Sequence, residues 1–194
     1  MMIFLILAPY GAFGTLMLFT SAATSLFTAA ALCLTVIALD AARGRSIKVL
    51  GAGSAIVFMA LGGYLVLVDP GLSGSIVKLA VDAGMLAIAL ASLLVRKPFT
   101  LQYAREAVDA ETAKLPDFLR ANDVITSVWA AAFVLMMLAN LLLIYVPGLP
   151  LWCGIAIAFA ARNSALYFTK WYPVRQRALN SSLRANGSAQ SAAR

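Results

Sequence analysis

The chain has 194 residues, 62% hydrophobic and 12% charged, with a mean hydropathy of +0.90, values far outside the range of water-soluble globular domains. Its net charge of +7 is scattered through loops beside apolar runs, so membrane topology explains the basicity better than a nucleic-acid surface does. The lack of histidine removes imidazole haem ligation, His-based zinc sites and the commonest general base.

The first apolar segment, residues 3–19, is short and is interrupted by Pro9, Gly11 and Gly14. It is expected to cross as a kinked helix, the alternative being that it dips and returns under cover of other helices. No basic n-region precedes it, as a cleaved signal peptide requires. The second segment, 21–39, sets Ser21, Ser25, Ala29 and Cys33 at four-residue intervals, a small-residue ridge on which another helix can approach closely. Asp40, Arg43, Arg45 and Lys48 make a short basic loop before the third segment, 49–68, where Gly51, Ala55 and the Gly62–Gly63 pair are packing or bending points.

Residues 69–75 form a turn without a basic residue, and the fourth segment, 76–95, leads back to the longest polar interval, 96–122. That interval carries Arg96, Lys97, Arg105, Lys114 and Arg120, an excess that places it on the cytoplasmic face. Within it Phe99, Tyr103, Val108, Leu115 and Phe118 alternate with charges between Pro98 and Pro116. This suits a short interfacial helix with its apolar side down, the alternative being a solvated linker. A fifth segment, 124–146, an uncharged turn at 147–150 and a sixth segment, 151–168, follow. Lys170, Arg175, Arg177, Arg184 and Arg194 lie beyond it, and 173–194 read as a basic, largely disordered tail.

Three basic residues thus fall in the first loop, five in the central loop and five after the last segment, all on one side. The predicted fold is an all-α polytopic membrane bundle formed by residues 1–172. It has six transmembrane helices, or five if the first segment is re-entrant, and a cytoplasmic C-terminus.

The other two basic residues, Lys78 and Arg162, lie inside segments, where polar groups are costly and become the first functional candidates. Lys78 is close enough to its segment's end to snorkel as an anchor. Asp82 lies about 9 Å into the fourth segment and Asn140 at similar depth in the fifth, so the two can meet. Arg162 sits near mid-membrane and is expected to reach Asp82 as a buried ion pair, with Asn140 and Asn163 in support. Such a cluster either locks helices in register or forms a polar site for an ion or a lipid headgroup.

Cys33 and Cys153 are isolated thiols in apolar surroundings without metal-ligand spacing. No glycine-rich phosphate loop or G-x-S-x-G elbow occurs, and the DAARGR stretch at 40–45 is not followed by the further aspartates of membrane alcohol phosphotransferases. The reading is of a non-enzymatic protein with no catalytic residue, cofactor or metal.

Phe4, Leu5 and Pro9 near the start, Gly62–Gly63 before an acidic turn, and Arg96-Lys97-Pro98 with Gln102 make a pattern completed by Trp129-Ala130, Phe133 and Ala139-Asn140. In these residues, up to about Tyr172, the chain resembles the intracellular septation protein A family of bacterial inner-membrane proteins. It departs at the last segment, where Leu151-Trp152-Cys153-Gly154 stand in place of the family's lysine and aromatics and Arg162 lies deeper. The resemblance implies a multi-pass inner-membrane protein that supports cell division or envelope maintenance through contacts with other membrane proteins. Besides the bilayer itself, a second copy of the chain is a further candidate partner, and nucleic acid is not one. The alternative function is a small transporter or channel in which Asp82, Asn140 and Arg162 line a polar path.

Overall fold

The computed structural model describes the backbone of residues 2–146 and 148–192 and the side chains of 8–146 and 148–176. Phe4, Leu5, Arg177, Arg184 and Arg194, which entered the sequence reading, lie outside the described side chains. Regular structure among the described residues is entirely helical: α1 (Met2–Leu16), α2 (Ala22–Ala42), α3 (Val49–Leu67), α4 (Gly74–Leu94), α5 (Phe99–Arg105), α6 (Pro116–Tyr145) and α7 (Leu151–Ala192), with one 3-10 turn at Thr112–Lys114.

Five of these, α2, α3, α4, α6 and α7, are long and apolar enough to cross a membrane. α1 is a single 15-residue helix with Pro9 inside it and no chain reversal, and its length of about 22 Å falls short of the roughly 30 Å hydrocarbon core. Helices pack in sequence order, α1 on α2, α2 on α3, α3 on α4, α4 on α6 and α6 on α7. α1 and α7, the two ends of this series, are not closely packed on each other.

The small-residue ridge of α2 is buried as expected at Ser25, Ala29 and Cys33, with Leu26 and Ala30 beside them. Ser21 instead caps the helix, its Oγ accepting from the Thr24 N–H at 3.2 Å. Large apolar side chains such as Leu34, Ile56, Leu90, Leu135 and Phe159 project outward. That exterior is the inverse of a soluble protein's and matches hydrocarbon as solvent.

The helices turn differently at the two ends of the bundle. At the basic end α2 and α4 finish in the same hydrogen-bond pattern. Gly44 N–H donates to Ala41 O at 3.0 Å and Arg45 N–H to Asp40 O at 2.9 Å. Arg96 N–H donates to Leu93 O at 2.9 Å and Lys97 N–H to Ser92 O at 2.9 Å. Both are Schellman closures with a left-handed residue, Gly44 at φ 66° and Arg96 at φ 55°. Pro98 then prevents continuation, which gives Lys97-Pro98 a helix-stopping role.

The central interval does not form one interfacial helix between Pro98 and Pro116. α5 ends at Arg105 and residues 116–122 already belong to α6, where Pro116 takes the first-turn position that needs no N–H donor. Phe99 and Leu101 are buried and Tyr103 packs on the core, so the apolar side of α5 faces protein. α7 runs on as helix past Phe168, through Pro173, to Ala192.

Candidate functional site

Trp129, Phe133, Met136 and Asn140 recur along α6 at helical spacing and are all buried. This stripe faces α1, α4 and α7. Trp129 Nε1 donates to Thr169 Oγ1 of α7 at 3.0 Å, and Phe133 meets the Tyr10 ring of α1 edge-on with centroids 6.2 Å apart. Met136 Sδ lies 3.5 Å from the Tyr10 hydroxyl. Asn140 Nδ2 donates to Asp82 Oδ2 of α4 at 2.8 Å and to Met136 O at 3.1 Å. The Trp129 and Ala139-Asn140 residues that carried the family resemblance are therefore largely a packing face, and Asn140 is its polar end.

Asp82 is 3% exposed, and its other oxygen, Oδ1, accepts a hydrogen bond from the Tyr10 hydroxyl. The sequence placed Asp82 and Asn140 together, and they meet. The expected ion pair of Asp82 with Arg162 does not form; the pairs of Asp40 with Arg45 and Lys48, and of Glu106 with Lys48, lie at the basic end of the bundle. Tyr10 takes the place that Arg162 was expected to fill. Asn163 is not part of the cluster either. Its Nδ2 donates to Phe159 O of its own helix at 2.7 Å, because adjacent helical residues point about 100° apart.

Between α1, α4, α6 and α7 lies a cavity of about 310 Å³ that takes in Tyr10, Lys78, Asp82, Asn140 and Arg162. It runs from Arg162, about eleven residues or roughly 16 Å down α7, towards Leu18 and Leu151 at the end of the bundle remote from the basic loops. Lys78 also lines it, in the first turns of α4 and one turn before Asp82. Arg162 lies against the Phe159 ring, its guanidinium carbon 5.8 Å from the centroid. Its Nε is buried without a hydrogen-bond partner. Tyr10 was not singled out in the sequence, although a hydroxyl between Pro9 and Gly11 in an otherwise apolar run was a usable sign.

A second polar cluster closes the basic end. Lys48 is 6% exposed, and its Nζ donates to Asp40 Oδ2 at 2.8 Å and lies 3.0 Å from Glu106 Oε1, with the Tyr103 ring 5.5 Å away. Desolvation alone would lower the lysine pKa, but the hydrogen bonds and charges of Asp40 and Glu106 win and raise it. Burial, with the carboxylates nearby, likewise raises the Tyr103 phenol. Gln102 Oε1 accepts from the Val49 N–H at 2.8 Å, capping α3 from α5, and Thr100 Oγ1 pairs with Thr126 Oγ1 at 2.8 Å. Ser92 Oγ accepts from the Phe99 N–H at 3.1 Å. These contacts fix the loop as a lid on the helices.

Comparison with protein-family models, with curated proteins and with solved structures returns no match.

Proposed function

We propose that this is a multi-pass membrane protein whose activity resides in the cavity between α1 and α7, a binding site for a small polar or charged ligand in a transport or ligand-handling role without bond-making chemistry. The supporting observation is the cavity of about 310 Å³ into which Tyr10, Lys78, Asp82, Asn140 and Arg162 converge. Groups that serve only to register helices are expected to close on one another in a dry interior. Here two cations and a carboxylate surround a space of ligand size. In this reading the basic loops and the C-terminus face the cytoplasm of a bacterial cell, the cavity opens from the outer side, and α1 crosses as a short sixth helix.

The resemblance to septation protein A suggests a setting for this activity, cell division or envelope maintenance at the inner membrane alongside other membrane proteins. It is supported by Lys97-Pro98, Trp129 and Ala139-Asn140.

Cysteine accessibility tests the cavity. In a Cys33→Ala, Cys153→Ser background, Ala158→Cys lines the cavity and is expected to react in intact cells with a small hydrophilic methanethiosulfonate. Val134→Cys, on the outward face, is expected to stay unlabelled. Gly148→Cys, in the outer turn, serves as the labelled control and Lys114→Cys as the protected one. Labelling of Gly148→Cys without any at Ala158→Cys would refute a ligand-accessible cavity, and the reverse of the two controls would refute the orientation.

A further inference from the structure

We propose that the cavity between α1 and α7 holds a phosphate-type oxyanion against Arg162 and Lys78; this deepens the reading of the cavity as a ligand site and rests on it. The charged groups at the cavity are Lys78, Asp82 and Arg162, one positive charge in excess. Both oxygens of Asp82 already take donors from neutral groups, the Tyr10 hydroxyl and the Asn140 amide. Arg162 is thus left without a carboxylate at ion-pair distance among the described residues. Its Nε is buried and donates to nothing. A guanidinium near mid-membrane with an idle donor and no carboxylate at ion-pair distance is expensive, and an anion in the adjoining space removes both defects at once.

The geometry selects the kind of anion. A guanidinium offers parallel N–H donors in a planar fork that fits two oxygens of one tetrahedral or planar oxyanion, and an ammonium adds a point charge. The Phe159 ring supports the guanidinium, and Gly11 keeps α1 out of its way. A side-chain carbon at Gly11 would sit 3.5 Å from Arg162 Nη1, so any larger group would enter the space beside the fork. The cavity of about 310 Å³ corresponds to roughly ten waters at about 30 Å³ each, ample for a phosphate with its substituents. Around this polar floor the lining residues Leu18, Leu151, Ile155 and Phe159 are apolar and outward-exposed. Such a mouth admits the headgroup phosphate of a lipid whose chains stay in the bilayer, and also a soluble phosphate from the outer end.

Thermal unfolding of the full chain in maltoside micelles, followed by tryptophan fluorescence, separates these sources. The probes are dioctanoyl phosphatidylglycerol, dioctanoylglycerol with the same chains and no phosphate, and inorganic phosphate against chloride at matched ionic strength. A rise in Tm with the phospholipid but not with dioctanoylglycerol is expected. Arg162→Gln should raise the half-saturating concentration by about tenfold or more, Arg162→Lys should give an intermediate value, and Arg43→Gln, in the basic loop, should match the parent. A response to inorganic phosphate of the same size and the same Arg162 dependence assigns the oxyanion to a soluble source and also supports the proposal. Lys78→Gln provides a second reading if Arg162→Gln does not fold. Equal responses of the parent, Arg162→Lys and Lys78→Gln to every probe would overturn the oxyanion site. If Ala158→Cys is labelled from outside in that same case, the cavity reading survives and only the ligand class fails.

Discussion

Two polar clusters occupy opposite parts of this bundle, and they are built on different plans. At the basic end Lys48 is held between Asp40 and Glu106 at 2.8 and 3.0 Å, with Arg45 3.7 Å from Asp40. One carboxylate oxygen, Glu106 Oε2, lacks a partner and faces a cavity of only about 70 Å³, room for about two waters. In the cavity between α1 and α7 the carboxylate is satisfied by neutral donors while the cation Arg162 stands apart beside a far larger space. Charges that the protein pairs itself can hold elements together; a cation left unpaired within a span is instead a candidate for ligand contact.

The largest effect is expected where that pairing is broken. Lys48→Met leaves Glu106 without its cation and Asp40 with Arg45 alone, at 3.7 Å, and should destabilise the protein by about 3 kcal/mol, at the lower end for a disrupted buried pair. Reversible SDS unfolding in mixed micelles measures it. The same clasp has a pH signature. Lys48 and Tyr103 both hold their protons more tightly in the folded protein, so the stability these two groups contribute should be fully present in the pH range just below about 10 and be lost as the pH rises further. Lys48→Met should flatten part of that alkaline decline, and an unchanged decline in the variant would remove Lys48 as its source.

Thr169→Val removes the acceptor of the Trp129 N–H at nearly constant volume and should cost about 1 kcal/mol, seen in the same unfolding assay. No loss would mean that packing alone joins α6 to α7 at this level. Smaller still, and of opposite sign, is the change at the helix end. Gly44 and Arg96 occupy equivalent left-handed positions, but only glycine adopts them without strain. Arg96→Gly should therefore stabilise by about 0.5–1 kcal/mol, whereas Gly44→Ala should destabilise by a similar amount.

The parts of the fold that follow from periodicity and length were legible in the sequence. Apolar runs of spanning length gave the five long helices, and depth along a helix, at about 1.5 Å per residue, brought Asp82 and Asn140 together. The rest depended on which helices are neighbours. Tyr10 reaches Asp82 because α1 lies beside α4 and α6, and nothing in the first segment's own pattern says so. Arg162 and Asn163 were joined as one cluster because they are adjacent in sequence, yet a helix turns adjacent side chains onto different faces. The alternating apolar residues of 96–122 suited a membrane surface, but Phe99 and Tyr103 found protein to pack against, with Ser92 and Gln102 supplying the specific bonds that draw α5 onto the bundle.

The contrast between the two clusters is tested most directly by Arg162→Met, measured beside Lys48→Met in the same mixed micelles with no phospholipid or phosphate added. An arginine that serves a ligand has no pair to lose, so its replacement by an apolar side chain of similar length should leave stability within about 1 kcal/mol of the parent or raise it. Lys48→Met should lose about 3 kcal/mol. Equal losses in the two variants would show that Arg162 holds the helices together as Lys48 does, and would contradict its assignment to a ligand site.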